Sequence, residues 1–159
     1  MNAENFKVFY GESAVTITGA TVADGTITLT LSQENIPTWK PAANGSISEA
    51  GWTTNASKQA IIDVGNSETA ITLTLDQALD PVPAALLITG TTPVTFTGSN
   101  PFSCKVVIDA GSQVTAAGIT ALTSADIENN GTFTLNGSDN SLFGSTYSGN
   151  GATILASGT

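Results

Sequence analysis

Two pairs of carboxylates are the residues of this chain best suited to chemistry. Asp126 and Glu128 lie two positions apart, so both side chains share one face if the segment is a strand. Asp76 and Asp80 form a second acidic pair. The sequence has no His and no Arg, which leaves few groups for proton transfer or oxyanion stabilisation. We therefore interpret both pairs as solvated groups and predict that the chain is not an enzyme and has no catalytic residues.

Carboxylate and amide oxygens also raise the question of a metal. Asp126, Glu128 and Asp139 carry the ligand type that Ca²⁺ prefers. The chain contains no EF-hand loop and no Gly-Gly-x-Gly-x-Asp repeat. We predict no cofactor, with a structural Ca²⁺ at these three residues as the alternative.

The other candidate binding residues are two tryptophans, in a segment that interrupts the strand pattern. Residues 33–58 carry two prolines and an Asn-Gly pair, which predicts a loop. Within this loop, Trp39 and Trp52 are expected to cover the edge of a core, and stacking on a ligand is their alternative role. Cys104 is the single cysteine and has apolar neighbours, which favours a small buried side chain over a reactive thiol.

The charge balance excludes several classes of function. Four lysines face thirteen carboxylates, and the net charge is −9. Nucleic acids and anionic membrane surfaces require a basic footprint, so we expect binding to neither. No stretch reaches the roughly 20 apolar residues of a membrane span, and the first residues lack the apolar core of a secretory signal.

The sequence pattern of the first part of the chain predicts a small β region. Residues 6–11 suit a first strand, and residues 14–31 suit a β-hairpin whose turn is Asp24-Gly25. The segment Thr26–Leu31 alternates Thr with Ile or Leu, as expected of a strand with one polar face. We assign residues 1–58 to this N-terminal β region, acting as a cap or a small sandwich.

A repeated phrase dominates the remainder, residues 59–159, which we predict to be a β-solenoid. Short aliphatic runs alternate there with corner residues, and the phrase closes on a glycine at intervals of 20, 19 and 21 residues. Such a period is typical of stacked coils. The closing glycines are Gly98, Gly118, Gly137 and Gly158.

Stacking at this period predicts which inward side chains lie above one another. One column is expected to contain Ile88, Ile108 and Ile127. A second column is expected to contain Val94, Val114, Phe133 and Ile154. The fold class predicted is all-β with a solenoid of four or five coils, and a β-sandwich or jelly roll is the alternative. The best helix candidate, residues 114–127, is interrupted by Gly and Thr.

One coil carries a family resemblance. Residues 126–137, Asp-Ile-Glu-Asn-Asn-Gly-Thr-Phe-Thr-Leu-Asn-Gly, resemble the coil phrase of autotransporter-type adhesins and of phage tail-fibre proteins. The resemblance covers mainly residues 86–158. It implies a parallel β-helix on a bacterial or phage surface, and it transfers no functional residues.

These observations together predict a structural role. We expect a subunit of a virion tail, fibre or decoration layer, or of an extracellular assembly, with a homo-oligomer or filament neighbour. The last phrase ends at Gly158 without a capping helix, so its coil is expected to continue in a longer solenoid or to be covered by another chain. A fragment of a cell-surface adhesin that binds glycan or host protein is the main alternative. An ice-binding protein, suggested by the Thr-x-Thr pairs, and a carbohydrate-active enzyme come after it.

Overall fold

The computed structural model of the chain describes nine segments: residues 8–10, 13–23, 25–32, 36–51, 59–80, 82–100, 102–117, 126–137 and 146–156. Apart from one 3₁₀ turn at Ile47–Ala50, every regular element in these segments is a β-strand. The chain divides into two units, residues 1–36 and residues 37–159. It is all-β, as predicted.

The first unit is a three-stranded antiparallel sheet in the order β1-β2-β3. The predicted hairpin is confirmed, because β2 and β3 pair on either side of Gly25, whose φ is +77°. A register shift between Ile17 and Gly19 interrupts the pairing. The strands are β1 (Val8–Tyr10), β2 (Ser13–Ala23) and β3 (Thr26–Ser32).

The second unit is a β-solenoid made of two parallel six-stranded sheets, and each rung contributes one strand to each sheet. Sheet I contains, in spatial order, β14 (Thr146–Ser148), β12 (Asp126–Asn129), β10 (Lys105–Ile108), β8 (Ala85–Thr89), β6 (Gln59–Asp63) and β4 (Thr38–Trp39). Sheet II contains β15 (Ala152–Leu155), β13 (Thr132–Asn136), β11 (Gln113–Ala117), β9 (Val94–Gly98), β7 (Ile71–Leu75) and β5 (Gly45–Ser46).

The solenoid begins earlier than the sequence indicated. Residues 33–58 were expected to be a loop outside the repeats, yet β4 pairs with β6 and β5 pairs with β7. These two strands have only two residues each, which is too short to show an alternating pattern. The division between the units therefore falls after residue 36 instead of residue 58.

Alternation along each strand builds the core between the two sheets. Every second residue of the central strands is buried, so Ile62, Ile88 and Ile108 stack directly on one another. Full burial of such a side chain stabilises the fold by about 1.5–3 kcal/mol. Ala116 pairs with Phe96 in sheet II, and the ring of Phe102 packs edge-on against Phe96 at a centroid distance of 5.4 Å.

The predicted columns are partly confirmed. Ile108 does pair with Ile88, but its partner in the next rung is the buried Asn129, and Ile127 pairs with Val106. Ile127 and Asn129 lie two apart and both face inward, so the period of two alone could not choose between them.

In the second column, Val94, Val114 and Phe133 stack as expected. The fourth member is Thr153, while Ile154 faces outward opposite Thr134. The assignment of Ile154 was wrong because the last repeat was aligned on its aliphatic residues, and this rung carries Thr at the inward position.

Successive rungs touch through their backbones at the corners. Gly90 has a φ of +99°, and a Cβ added there would lie 2.4 Å from the carbonyl oxygen of Gly65 in the preceding rung. Thr91 N donates to the same oxygen at 2.7 Å. Gly65 also has a positive φ, +68°, but a Cβ there would meet nothing within 4 Å. Of these two glycines, Gly90 alone needs to be glycine for space as well as for conformation.

We predict that Gly90→Ala destabilises the fold far more than Gly65→Ala. The conformational cost of Ala at positive φ is about 1–2 kcal/mol at either position, and overlap with a backbone adds about 1–3 kcal/mol at Gly90 alone. Urea denaturation of the two variants beside the wild type measures the difference. Equal losses of stability would show that the corners do not depend on backbone contact.

Candidate functional site

The acidic pair on β12 lies on the outer face of sheet I. Lys105 Nζ is 2.7 Å from Glu128 Oε2, and Asn130 Nδ2 donates to Glu128 Oε1 at 3.2 Å. These two hydrogen bonds, that from Lys105 first, hold the pKa of Glu128 below its usual value. Asp126 is exposed at the start of the strand. Glu128 is thus engaged in a cross-strand ion pair, a surface structural contact between neighbouring rungs.

The Ca²⁺ alternative gains no support from this geometry. Asp139 lies outside the described residues, so its distance from Asp126 and Glu128 is not defined. Among the residues that the structure describes, no three His, Cys, Asp or Glu side chains come close enough to hold a metal ion.

Asp76, from the second acidic pair, holds a turn in place. Ser48 donates to its carboxylate twice, from Oγ at 2.6 Å and from the backbone N at 3.1 Å. The Ser48 hydroxyl is the main reason that the pKa of Asp76 lies below its usual value. Asp80 is exposed farther along the chain after β7. Asp76 therefore fixes the 3₁₀ turn beside β7.

Trp39 and Cys104 are both partly buried against the core. Trp39, in the first rung, pairs with the inward-facing Ile62 of the next rung and packs against the core there. Trp52 lies outside the described residues. Burial raises the pKa of the Cys104 thiol to about 11, so the thiol stays protonated near neutral pH.

A cleft of about 690 Å³ lies between the first two corners of the solenoid, next to Lys40 and Asp63. These two residues form an ion pair at 3.1 Å. Asn44 Oδ1 accepts from Thr72 N at 2.8 Å, and Thr92 Oγ1 accepts from Ser67 N at 2.7 Å. The polar groups named here are thus partnered within the chain, and the described residues that line the cleft include no aromatic ring.

The outer face of sheet II presents a threonine ladder, defined as Thr72, Thr95, Thr115 and Thr134. These residues are directly paired over four successive rungs, and Ile154 follows in the fifth. Beside the ladder, the hydroxyls of Thr74 and Thr97 are 3.3 Å apart. The residues that face outward on β7, β9, β11, β13 and β15 carry no charge. Sheet I, by contrast, carries the ion pairs.

The last rung, formed by β14 and β15, differs from the rungs before it. Its strands lie at the ends of the two sheets, so each has one neighbouring strand among those described. Tyr147, Ile154 and Leu155 are 40%, 47% and 70% exposed. Tyr147 and Leu155 pair with the inward-facing Ile127 and Leu135, so the interior of the solenoid is uncovered here.

A buried amide that the sequence reasoning missed holds this rung to the one before it. Asn129 is fully buried, and its Nδ2 donates to Tyr147 Oη and to the Ala152 carbonyl oxygen, each at 2.9 Å. Its Oδ1 accepts from Gly131 N at 3.1 Å. Tyr147 Oη also hydrogen-bonds Thr153 Oγ1. The only sequence signal is Asn129-Asn130-Gly131, residue types that are typical of a corner.

Comparison with protein-family models, with curated proteins and with solved structures finds no match for this chain. The fold and its surfaces therefore define the class of protein, a two-sheet parallel β-solenoid. In the described part of the chain, no helix has the length and apolar character needed to cross a membrane.

We predict that Lys105→Met raises the pKa of Glu128 toward its usual value of 4.5, since the largest cause of its depression is removed. Because the folded-state pKa is depressed, the contribution to stability is present above the unfolded pKa and is lost as the pH falls through the folded pKa. NMR titration of the Glu128 carboxyl carbon measures the shift. Lys40→Met, at the other ion pair, is the control and should leave this pKa unchanged.

Proposed function

We propose that this chain is a non-enzymatic structural subunit of a virion or extracellular assembly, acting by self-association and surface binding. A tail, fibre or decoration protein and a cell-surface adhesin are the forms such a subunit takes. The observation that carries the proposal is the uncovered last rung, where an exposed apolar interior meets two strands that each have a single described neighbour.

The backbone N–H and C=O groups at the open edges of β14 and β15 explain why this rung supports association. A parallel strand with one neighbour has N–H and C=O groups on its other side that can pair with a further strand. Burial of exposed apolar side chains contributes to the free energy of association, and Leu155 is 70% exposed. The carboxylates Glu128 and Asp76, already engaged in contacts within the chain, fit a structural role better than a catalytic one.

We predict that the wild-type chain self-associates and that Leu155→Lys weakens the association. The lost burial is worth about 1–2 kcal/mol, which corresponds to about a tenfold rise in the dissociation constant. Analytical ultracentrifugation over a wide concentration range measures it. Val82→Lys is the matched control, because Val82 is also an exposed aliphatic residue, at 45%, but lies away from the last rung. A wild-type chain that is monomeric at every concentration would refute the proposal.

Ice binding is a second candidate, favoured by the threonine ladder. Parallel strands repeat at about 4.8 Å, so the ladder holds methyl and hydroxyl groups at a regular spacing. Threonine is β-branched and its χ1 is restricted, so the array is rigid. An uncharged and regular face of this kind can order water in the manner of an ice surface, whereas glycan-binding faces generally use aromatic platforms.

If the ladder binds ice, the wild-type chain produces thermal hysteresis in a nanolitre osmometer, and Thr115→Lys in the centre of the ladder abolishes most of it. Thr89→Lys is the matched control, because Thr89 faces outward on sheet I opposite Asp63. Absence of hysteresis in the wild type removes this candidate. Equal loss in both variants shows that the ladder is not the active surface.

A further inference from the structure

The two ends of the solenoid differ in whether their strand edges are protected. This difference bears on how copies of the chain would join, and the inference drawn from it rests on the proposed function. A solenoid that can pair with further strands at both of its ends would build an open filament. A solenoid that can pair at only one end builds a closed dimer.

The first rung is closed off by its own chain. Glu49 Oε1 accepts a hydrogen bond from Ser46 N on β5 at 3.1 Å, so an N–H at this end is already bound. The Glu49 carboxylate lies against Gly45, where an added Cβ would be 3.0 Å from Oε2. Ile47 in the 3₁₀ turn is 3% exposed and belongs to the core. This end is thus covered by a turn, a carboxylate and an apolar side chain.

The strands of the first rung are also poor templates for pairing. β4 and β5 have two residues each, and Pro37 and Pro41 flank β4. Proline has no N–H to donate to a neighbouring strand, and short edge strands interrupted by proline are a usual protection against edge pairing. Lys40 adds a charge beside them.

Within the described residues 146–156, the last rung shows none of these protections. Residues 146–156 contain no charged residue and no proline, and they supply seven strand residues in β14 and β15. In a chain with a net charge of −9, an uncharged end is where a second copy meets the least repulsion. The exposed Tyr147, Ile154 and Leu155 are apolar groups that the same groups of a second copy would cover.

We propose that two copies of this chain pair through their last rungs, end to end, as a closed two-fold dimer. The protected first rung cannot serve as the complementary edge. The last rung of one copy therefore pairs with the last rung of the other. A two-fold axis between the copies makes the facing edge strands antiparallel, and it sets the same patch against itself, as isologous interfaces require. The two sheets of one copy are then continuous with the two sheets of the other.

The test uses the full chain and two charge-matched double variants. T146K/I154K places one exposed lysine on each strand of the last rung, and T38K/A43K places two at exposed positions of the first rung. Size-exclusion chromatography with light scattering gives the mass of each, and circular dichroism establishes that each is folded. If the double variant T146K/I154K does not fold, the single variants T146K and I154K replace it.

The expected result is a mass of twice the 16.1 kDa chain for the wild type and for T38K/A43K, and a monomer for T146K/I154K. Open-ended wild-type filaments in negative-stain micrographs would overturn end-to-end pairing, and so would dissociation by T38K/A43K. Either result would still agree with self-association of the chain. Persistence of the dimer in T146K/I154K would also overturn it. A wild type that is monomeric at every concentration would remove both the pairing and the proposed function.

Discussion

Direct stacking of one rung on the next is the constraint on which the rest of this solenoid depends. Parallel strands must lie about 4.8 Å apart over their whole length, and the corners have to hold the same spacing as the strands. A Cβ at Gly90 would collide with the backbone of Gly65, and one at Gly149 would lie 2.1 Å from the Asn129 oxygen. Gly90 and Gly149 therefore mark corners where one backbone lies directly against another.

The same constraint determines how much the sequence could predict. Alternation along Ile71–Leu75 and Val94–Gly98, together with the glycine spacing, was sufficient to predict parallel rungs with an apolar interior. Register at the later rungs was not predictable, because inward positions two apart satisfy the same pattern. The pairing of Ile108 with Asn129 instead of Ile127 depends on corner geometry, which a periodicity does not contain.

Buried polar side chains at the corners were the features least visible in the sequence. Thr92 and Ser112 are each 1% exposed, and both hydrogen-bond the backbone of the preceding rung, at Ser67 N and at the Ile88 oxygen. Thr and Ser are common throughout this chain, so nothing marked these two as internal. Burial makes their hydrogen bonds costly to lose, since an unsatisfied polar group in the interior costs about 1–3 kcal/mol. The contacts of the candidate acidic residues were equally hard to predict, because Lys105, which pairs with Glu128, and Ser48, which donates to Asp76, each lie in the preceding rung.

The Asn129 amide has a kinetic meaning as well as a static one. In a stacked array each rung is stabilised mainly by its nearest neighbours, so a rung with one neighbour is the first to open. Opening of β14 and β15 would withdraw Tyr147 Oη and the Ala152 oxygen from Asn129 together, leaving its two N–H donors without protein partners. Opening of the solenoid from this end therefore has to hydrate a buried amide, which raises the free energy of the opened rung. The Asn129 side chain thus stabilises the contact between the last rung and the rung before it.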